Sequence, residues 1–470
     1  MRLVPWAQQV TSGAGVTCRF CCTICSILLF AVCAVIEMLL RALMSGLLYG
    51  MHIFAAEDEK DCADVLTEYL SHSGTGALAR NDLRLNRSKS PAEIFGKAPN
   101  HRKKQKNGIK TIQARRKNGI IEAKHGSVKR GITDLTRDMK KWVGEVIADP
   151  CKKPMPLLSF PCVQLLNVSV RELISDSGLM ARGMKLTADR VPAGAAVSFM
   201  DLSVEAQCFG AKIRFSDNEV PTVSGAIVSS EEQAKALRVP EVGACRTGGC
   251  IAAVAEAAKL IEDRPVFAGV IGPFSLAGRL MDVSETMVYC YDEPDMVHCV
   301  LEKTVEFISG YCEAFKAAGA NGVVIAEPLA GLMSPAMAEE FSHPYVKRII
   351  DSVQDNEFAV IYHNCGNNTV FMTEGIYGLG AMGYHFGDAV AMADMLKTAP
   401  EDVLVMGNVS PAEQFMRGTP ESVKSAVKSV AEVCCQRRNF VLSSGCDIPP
   451  GSPWRNIDAF FEAAEEFCRR

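Results

Sequence analysis

The C-terminal two thirds of the chain alternates between short apolar runs and longer segments with helical spacing of apolar residues. Runs of four to eight apolar residues are typical of buried strands, and a period of 3.6 is typical of helices that bury one face. The predicted strands are residues 195–200, 266–271, 322–326, 358–362, 380–384, 403–406 and 439–442. The predicted helices are residues 252–262, 297–318, 337–354, 389–397 and 421–436.

This alternation predicts the fold class of the C-terminal part. Strands separated by helices of 10 to 20 residues form parallel βαβ units. Seven such strands in about 330 residues favour an α/β fold of the TIM type, a (β/α)8 barrel, over a doubly wound sheet. No GxGxxG follows an early strand, so the sequence lacks the dinucleotide-binding signature. We therefore predict a barrel domain over residues 139–470.

The first 138 residues differ from the rest in hydrophobicity, cysteine content and charge, and they are predicted to be an extension of the barrel. Residues 1–79 are hydrophobic and contain six cysteines between residues 18 and 62. About 20 mostly apolar residues from 21 to 40 could span a bilayer, and 43–54 is apolar again, so 21–54 could contact a membrane. Residues 80–138 are predicted to be a basic, disordered linker. The whole region could also be an extension upstream of the native start, because Met139 begins a clean amphipathic segment.

Charge is distributed unevenly along the chain, although the net formal charge is only -4. Residues 80–141 contain 19 basic and 5 acidic side chains, whereas residues 142–470 contain 27 and 42. Bulk charge therefore gives no reason to expect the barrel to bind nucleic acid. The basic arm could contact an anionic surface or RNA, but a solvated, disordered arm is the simpler interpretation.

Cysteine usage bears on the compartment and on metal chemistry. The chain has 19 cysteines, an odd number with scattered spacing, and it is far larger than disulfide-stapled scaffolds. We therefore predict a reduced, cytoplasmic environment in which thiols are available to bind metal.

Polar residues follow the predicted strands, where the active site of a barrel lies. His363 and Cys365 are two positions apart, so in an extended segment they face the same way. Cys446 follows another strand and could complete a set of three ligands, which leaves a tetrahedral zinc with one open position. Soft thiolates disfavour magnesium and calcium. On local grounds a packed cysteine and a hydrogen-bonded histidine remain the commoner outcome of this spacing.

Several motifs together resemble one family. The chain is similar to the uroporphyrinogen decarboxylase superfamily, and more closely to its cobamide-dependent branch, the methylcobalamin:coenzyme M methyltransferases. The resemblance covers about residues 139–470. The motifs are His363-Asn-Cys-Gly-Asn367, Ser444-Gly-Cys-Asp-Ile-Pro-Pro-Gly-Ser-Pro453, Gly272-Pro-Phe-Ser-Leu-Ala-Gly278, Asp201-Leu-Ser-Val-Glu-Ala-Gln-Cys-Phe-Gly210 and Met406-Gly-Asn-Val-Ser-Pro411.

The resemblance implies a TIM-type barrel with zinc held by His363, Cys365 and Cys446. It also implies a methylated corrinoid, carried by a partner corrinoid protein, as methyl donor and a small thiol such as coenzyme M as acceptor. Zinc would make the thiol a better nucleophile, because the thiolate is the reactive form.

Five further polar residues are predicted to belong to the site. We expect Asp201, Glu327 and His385 to take part in catalysis, and Asp388 and Asn408 to contact cofactor or substrate. His385, Asp388 or Glu327 could be a fourth zinc ligand or could orient a ligand. The alternatives are a hydrogen-bonded rim histidine, a solvated carboxylate and an asparagine that caps a turn.

Two other functions stay open. Uroporphyrinogen decarboxylase itself is the first, but its arginine-rich stretch has no counterpart in residues 158–166, and Cys446 replaces its late histidine. Eight carboxylates on one substrate would be hard to bind without such arginines. The second is a non-catalytic accessory protein that binds a corrinoid or a metal.

Overall fold

The computed structural model describes residues 137–468. The predictions for 1–79, including the apolar stretch 21–54, and for nearly all of the linker 80–138 lie outside the described residues. Within the described range, no helix combines the length and the apolar character needed to cross a bilayer.

The seven predicted strands are all present and belong to one parallel sheet. Two further short strands form an antiparallel hairpin that the sequence did not predict. The parallel strands, in the order in which they neighbour one another, are β1 (Ala196–Val197), β4 (Val266–Ile271), β5 (Gly322–Ala326), β6 (Ala359–Asn364), β7 (Gly383–Phe386), β8 (Leu404–Val409) and β9 (Phe440–Ser444). The hairpin strands are β2 (Lys212–Arg214) and β3 (Thr222–Ser224).

Helices follow most of the strands. The α-helices are α1 (Met139–Ala148), α2 (Cys162–Leu166), α3 (Val170–Ser175), α4 (Ser177–Arg190), α5 (Val204–Cys208), α6 (Glu231–Ala236), α7 (Thr247–Leu260), α8 (Pro273–Met281), α9 (Val283–Asp292), α10 (Pro294–Ala317), α11 (Pro335–Phe341), α12 (His343–Val353), α13 (Thr373–Tyr377), α14 (Met392–Lys397), α15 (Pro420–Cys434) and α16 (Trp454–Phe467). Short 3₁₀-helices cover Ala330–Leu332 and Asn367–Met372, and a π-helical turn covers Pro411–Met416.

The single helix predicted over 337–354 is wrong, because the structure has two helices there. α11 ends at Phe341 and α12 begins at His343, with Ser342 between them. Pro344 stands in the first turn of α12. Proline has no N–H to donate and its ring clashes with the preceding turn, so one continuous helix is disfavoured.

The predicted eightfold barrel is confirmed only in part: the sheet has seven parallel strands, and an irregular segment occupies the eighth position. Residues 154–157 run between the two outermost strands: Met155 N donates to Leu442 O at 2.9 Å on the β9 side, and Gly194 N donates to Pro154 O at 2.9 Å on the β1 side. These bonds fill the eighth position without a regular ladder. The chain therefore has the TIM-like arrangement, with an irregular closing segment.

The barrel interior is a core of its own, separate from the larger core between strands and helices. Along β6, Ala359 and Ile361 lie in the inner core, whereas Val360 and Tyr362 lie in the outer one. This alternation follows from the two-residue period of a strand. Helix α1 contributes Met139 to the inner core and thus covers the end of the barrel opposite the predicted site.

Candidate metal centre

Three of the predicted ligands converge at the carboxyl ends of the strands. The side-chain donor atoms of His363, Cys365 and Cys446 all lie within 4.8 Å of one another. His363 is buried in β6, and the two cysteines in the loops after β6 and β9 are half-buried. Among the described residues this is the group of histidine, cysteine and acidic side chains whose geometry could hold a metal ion.

The local backbone explains why two of these side chains face the same way. His363 follows the inward-facing Ile361 by two positions in β6, and Cys365 follows His363 by two. A neighbouring loop comes close to Cys365 because it has glycine at position 387: a Cβ there would lie 2.5 Å from the Cβ of Cys365. Extended geometry and this close approach together fix the position of Cys365.

The two thiols affect each other's pKa. The hydrogen bond with Cys446 lowers the pKa of Cys365, whereas the same bond and burial raise the pKa of Cys446 to about 12. Nε2 of His363 lies 3.5 Å from the Cys446 sulfur. The thiol of Cys446 therefore favours the thiolate form of Cys365, and the thiolate is the form that binds a metal ion.

His385 orients His363 through a hydrogen-bonded relay. His363 Nδ1 lies 2.8 Å from His385 Nδ1, and His385 Nε2 lies 2.7 Å from Ser443 Oγ. Ser443 Oγ donates to the main-chain oxygen of Met155 at 2.8 Å.

The direction of this relay follows from its last acceptor. A carbonyl oxygen can only accept, so Ser443 accepts from the Nε2–H of His385, whose Nδ1 therefore accepts the proton of His363 Nδ1. The His385 carbonyl oxygen, 3.3 Å from His363 Nδ1, requires the same tautomer. His363 thus presents an unprotonated Nε2 to the two cysteines, as a metal ligand must. Both His385 nitrogens are occupied, which favours the orienting role over that of a fourth ligand.

Asp388 and Asn408 lie at the edge of the centre. Asp388 is exposed, and its charge raises the pKa of Cys365, although the hydrogen bond from Cys446 outweighs it. Asn408 is buried and its amide donates to Gly387 O at 2.9 Å and to Val390 O at 2.7 Å. Asn408 therefore holds the loop that carries Asp388.

Glu327 is buried at the end of β5 and bound to the start of α8. Its oxygens accept from Phe274 N at 3.2 Å and Ser275 N at 2.5 Å. Burial raises the pKa of Glu327 to about 7, against the opposing effect of these bonds. Its hydrogen bonds thus anchor α8 and do not reach the three metal-binding candidates.

Asp201 is buried after β1 and paired with a residue from a distant part of the chain. It forms an ion pair with Arg246, and it accepts from Ser203 N at 3.0 Å and Ser203 Oγ at 2.6 Å. The guanidinium of Arg246 also lies over the ring of Phe215, 5.1 Å from its centroid. These contacts occupy the carboxylate of Asp201 and hold the loop after β1 in place.

A cavity of about 620 Å³ is bordered by the loop after β9. Asp447, next to Cys446, lines it, together with the hairpin around β3 and Arg279 of α8. Burial and the neighbouring Cys446 raise the pKa of Asp447 well above its usual range. Neither Asp447 nor Arg279 was predicted as a site residue, because no local pattern marks which polar side chains face a cavity.

Comparison with known proteins establishes the family. A family profile described as uroporphyrinogen decarboxylase (URO-D) matches residues 159–467, well over half of the chain. The chain belongs to the uroporphyrinogen decarboxylase (URO-D) family. The resemblance inferred from the sequence motifs is thereby confirmed.

Similar proteins carry two different names. A "Methylcobamide:CoM methyltransferase MtbA" from Methanosarcina acetivorans is 27% identical over 278 residues, which cover 57% of this chain and 78% of the relative. A "Uroporphyrinogen decarboxylase" from Prochlorococcus marinus is 28% identical over 214 residues, 44% of this chain and 59% of the relative.

A solved structure has the same fold. The "methyltransferase from Methanosarcina mazei" superposes with a TM-score of 0.62 at 22% identity, covering 71% of this chain and 99% of that chain. This likeness supports the barrel architecture assigned to residues 137–468.

Proposed function

We propose that this URO-D family protein is a zinc-dependent methyltransferase that moves a methyl group from a methylated corrinoid to a thiol such as coenzyme M. The convergence of one histidine nitrogen and two cysteine sulfurs, His363, Cys365 and Cys446, carries the proposal. The similarity to methylcobamide:CoM methyltransferases supports it.

The donor set fits zinc. A tetrahedral zinc takes nitrogen and thiolate ligands, and three protein ligands are typical of catalytic sites, which keep one position for substrate. The relay through His385 and Ser443 supports the tautomer that leaves Nε2 of His363 free to bind. Thiolates disfavour hard cations such as magnesium.

In the proposed reaction, zinc activates the thiol and the protein side chains bind the zinc and the substrate. When bound, zinc lowers the pKa of the thiol substrate, so that the thiolate is present at neutral pH. His363, Cys365 and Cys446 would hold the zinc, and the cavity of about 620 Å³ that Asp447 lines would receive the rest of the thiol. The thiolate sulfur would attack the methyl carbon of the methylated corrinoid, and the cobalt–carbon bond would break with its electron pair left on the corrinoid.

Asp388 and Asn408 are proposed to shape the mouth. Asp388 is the exposed acid whose charge acts on Cys365, and it is proposed to contact cofactor or substrate. Asn408 keeps the Asp388 loop in position through its two main-chain acceptors. The corrinoid is proposed to arrive on a partner corrinoid protein, in the cytoplasm.

Uroporphyrinogen decarboxylase is the second candidate, because the family profile and relatives such as the Prochlorococcus protein carry that name. Its substrate has eight carboxylates, and several basic side chains would be needed to bind them. The cavity in the described part of the chain is lined by a single basic residue, Arg279. Charge complementarity therefore favours the methyltransferase.

Zinc content and methyl transfer in wild type and Cys446→Ser test the proposal. We expect about one zinc per wild-type chain and bleaching of methylcobalamin absorbance when coenzyme M is added. Cys446→Ser should lose most of both, because serine is a poor zinc ligand. Cys299→Ser, which alters another half-buried cysteine, should retain both.

The outcomes separate the three functions. A wild-type chain without zinc contradicts the methyltransferase. Zinc without transfer to coenzyme M or another thiol favours the accessory protein that binds metal without catalysis. Turnover of uroporphyrinogen identifies a decarboxylase.

A further inference from the structure

Helix α8 places a positive charge in the wall of the cavity that the loop after β9 borders. Arg279 lies near the end of this helix and is half-buried. Its neighbours in the helix, Leu276, Ala277, Leu280 and Met281, are fully buried. The helix is therefore fixed on the protein, and at its start it is also bound by Glu327. The position of the Arg279 side chain is limited by this rigid support.

Arg279 has no partner within residues 137–468. It makes no hydrogen bond and no ion pair there, in contrast to Arg246, which pairs with Asp201 nearby. Burial alone lowers the pKa of Arg279, and no acidic side chain opposes that effect. A guanidinium that is partly removed from water without a carboxylate is unfavourable, and a bound anion would relieve this.

The rest of the cavity wall suits a small ligand with an apolar stem. Met200, Val220, Met416 and Pro449 line it. Two acidic residues also line it: Asp447, adjacent in sequence to Cys446, and Glu219, which is exposed. The cavity thus extends from the loop that carries a metal-binding cysteine to the guanidinium of Arg279.

We propose that Arg279 is a specificity-determining residue that binds the acidic group of the thiol substrate. The inference rests on the proposed function. A thiol whose sulfur lies at His363, Cys365 and Cys446 would run its methylene groups along the apolar wall and present a sulfonate or carboxylate to Arg279. The guanidinium fork matches either group with two N–H donors. The enzyme is therefore selective for acidic thiols over neutral thiols of the same length.

Two thiols that differ only in the terminal group test the selectivity. The Michaelis constants of the full chain are measured for 2-mercaptoethanesulfonate and 2-mercaptoethanol, with methylcobalamin as methyl donor. In Arg279→Gln we expect the constant for the sulfonate to rise about 10- to 100-fold, the effect of losing a hydrogen bond to a charged group. The constants for 2-mercaptoethanol and methylcobalamin should stay unchanged. Arg279→Lys should show an intermediate effect, because it keeps the charge and loses the fork.

The control is Arg214→Gln, which removes an exposed arginine from β2, outside the cavity lining. It should leave every constant unchanged. An equal rise for both thiols, or no rise for the sulfonate, overturns the inference. A rise for methylcobalamin alone also overturns it, because the arginine would then bind the corrinoid.

A binding measurement separates this inference from the proposed function. Ethanesulfonate has the acidic group and no thiol, and its binding to the full chain is followed by calorimetry. Binding that weakens about tenfold or more in Arg279→Gln supports the anion site, even if no thiol accepts a methyl group. Equal binding by wild type and Arg279→Gln overturns the inference, whatever the activity. Unchanged or higher thermal stability of Arg279→Gln shows that the variant folds.

Discussion

The hydrogen-bonded relay behind the candidate metal centre gives the sharpest prediction. His385→Phe keeps an aromatic ring of similar size and removes both ring nitrogens. The ring can retain the edge contact with His363, whose centroid lies 4.7 Å from that of His385. What is lost is the acceptor at 2.8 Å for the Nδ1–H of His363.

The loss of zinc affinity in His385→Phe depends on which acceptors remain for the Nδ1–H of His363. A buried donor left without an acceptor costs about 1–3 kcal/mol. The main-chain oxygen of residue 385, 3.3 Å from His363 Nδ1, stays in place as a weaker acceptor, so the cost lies toward the lower end. The metal-ready tautomer of His363 is then less favoured, and zinc should bind about tenfold more weakly, as is usual when a partner of a metal ligand is removed.

The assay is the zinc dissociation constant, measured by competition with a chelating dye at fixed pH. Ser443→Ala breaks the relay one step further away and should weaken binding less than His385→Phe. His298→Phe is the control: this histidine lies in α10, and its Nδ1 is 2.7 Å from Tyr345 Oη, outside the relay. Equal zinc affinity in wild type and His385→Phe would refute the reasoning. So would nitrogen NMR signals that place the proton of His363 on Nε2 in the metal-free wild type.

Two further predictions concern stability, and urea unfolding measures both. Burial raises the pKa of Glu205 to about 7 from 4.5, and its Oε2 has no partner. The folded state therefore holds an extra proton between these pH values, and stability falls by about 3 kcal/mol as pH rises through them. Glu205→Gln removes this loss, so the gain in its free energy of unfolding over wild type should be larger at pH 8 than at pH 5. Glu256→Gln, at an exposed site, should show no such difference. An equal gain by Glu205→Gln at both pH values contradicts the argument. Gly272→Ala should cost about 2 kcal/mol or more, because its Cβ would lie 2.0 Å from Oε2 of Glu327. Gly144→Ala should gain about 0.5–1 kcal/mol in free energy of unfolding, because no atom lies within 4 Å of the Cβ it adds. Similar results for the two glycines would exclude the steric explanation.

The sequence predicted the bounds of two buried strands correctly, because an apolar run marks both ends of each. The predicted runs 266–271 and 322–326 coincide with β4 and β5, both of which are almost wholly buried. The run 195–200 was predicted longer than β1, which covers only Ala196–Val197. The ladder stops there because Gly269 N donates to the hydroxyl of Ser198, at 2.9 Å, and not to a main-chain oxygen. Apolar character predicts burial, but it cannot predict such a change of acceptor.

The eighth position of the barrel shows the same limit. Residues 154–157 carry no strand signal, yet their main-chain bonds fill the gap between β9 and β1. Closure of a barrel is a property of the whole sheet, so only the assembled strands determine which segment completes it.

The pair His363 and Cys365 was determined by the sequence, because a spacing of two in a strand fixes a common direction whatever the rest of the fold. Cys446 and the relay were decided by the tertiary structure. His385 meets His363 because strands β6 and β7 pair in that register, and Ser443 comes from β9. Sequence reasoning placed Asp201 and Glu327 at the ends of strands, but it could not find Arg246 or the amides of α8 that bind them. Local periodicity sets the direction of a side chain, whereas its hydrogen-bond partners come from distant parts of the chain, and those partners decide which polar groups remain free for ligands.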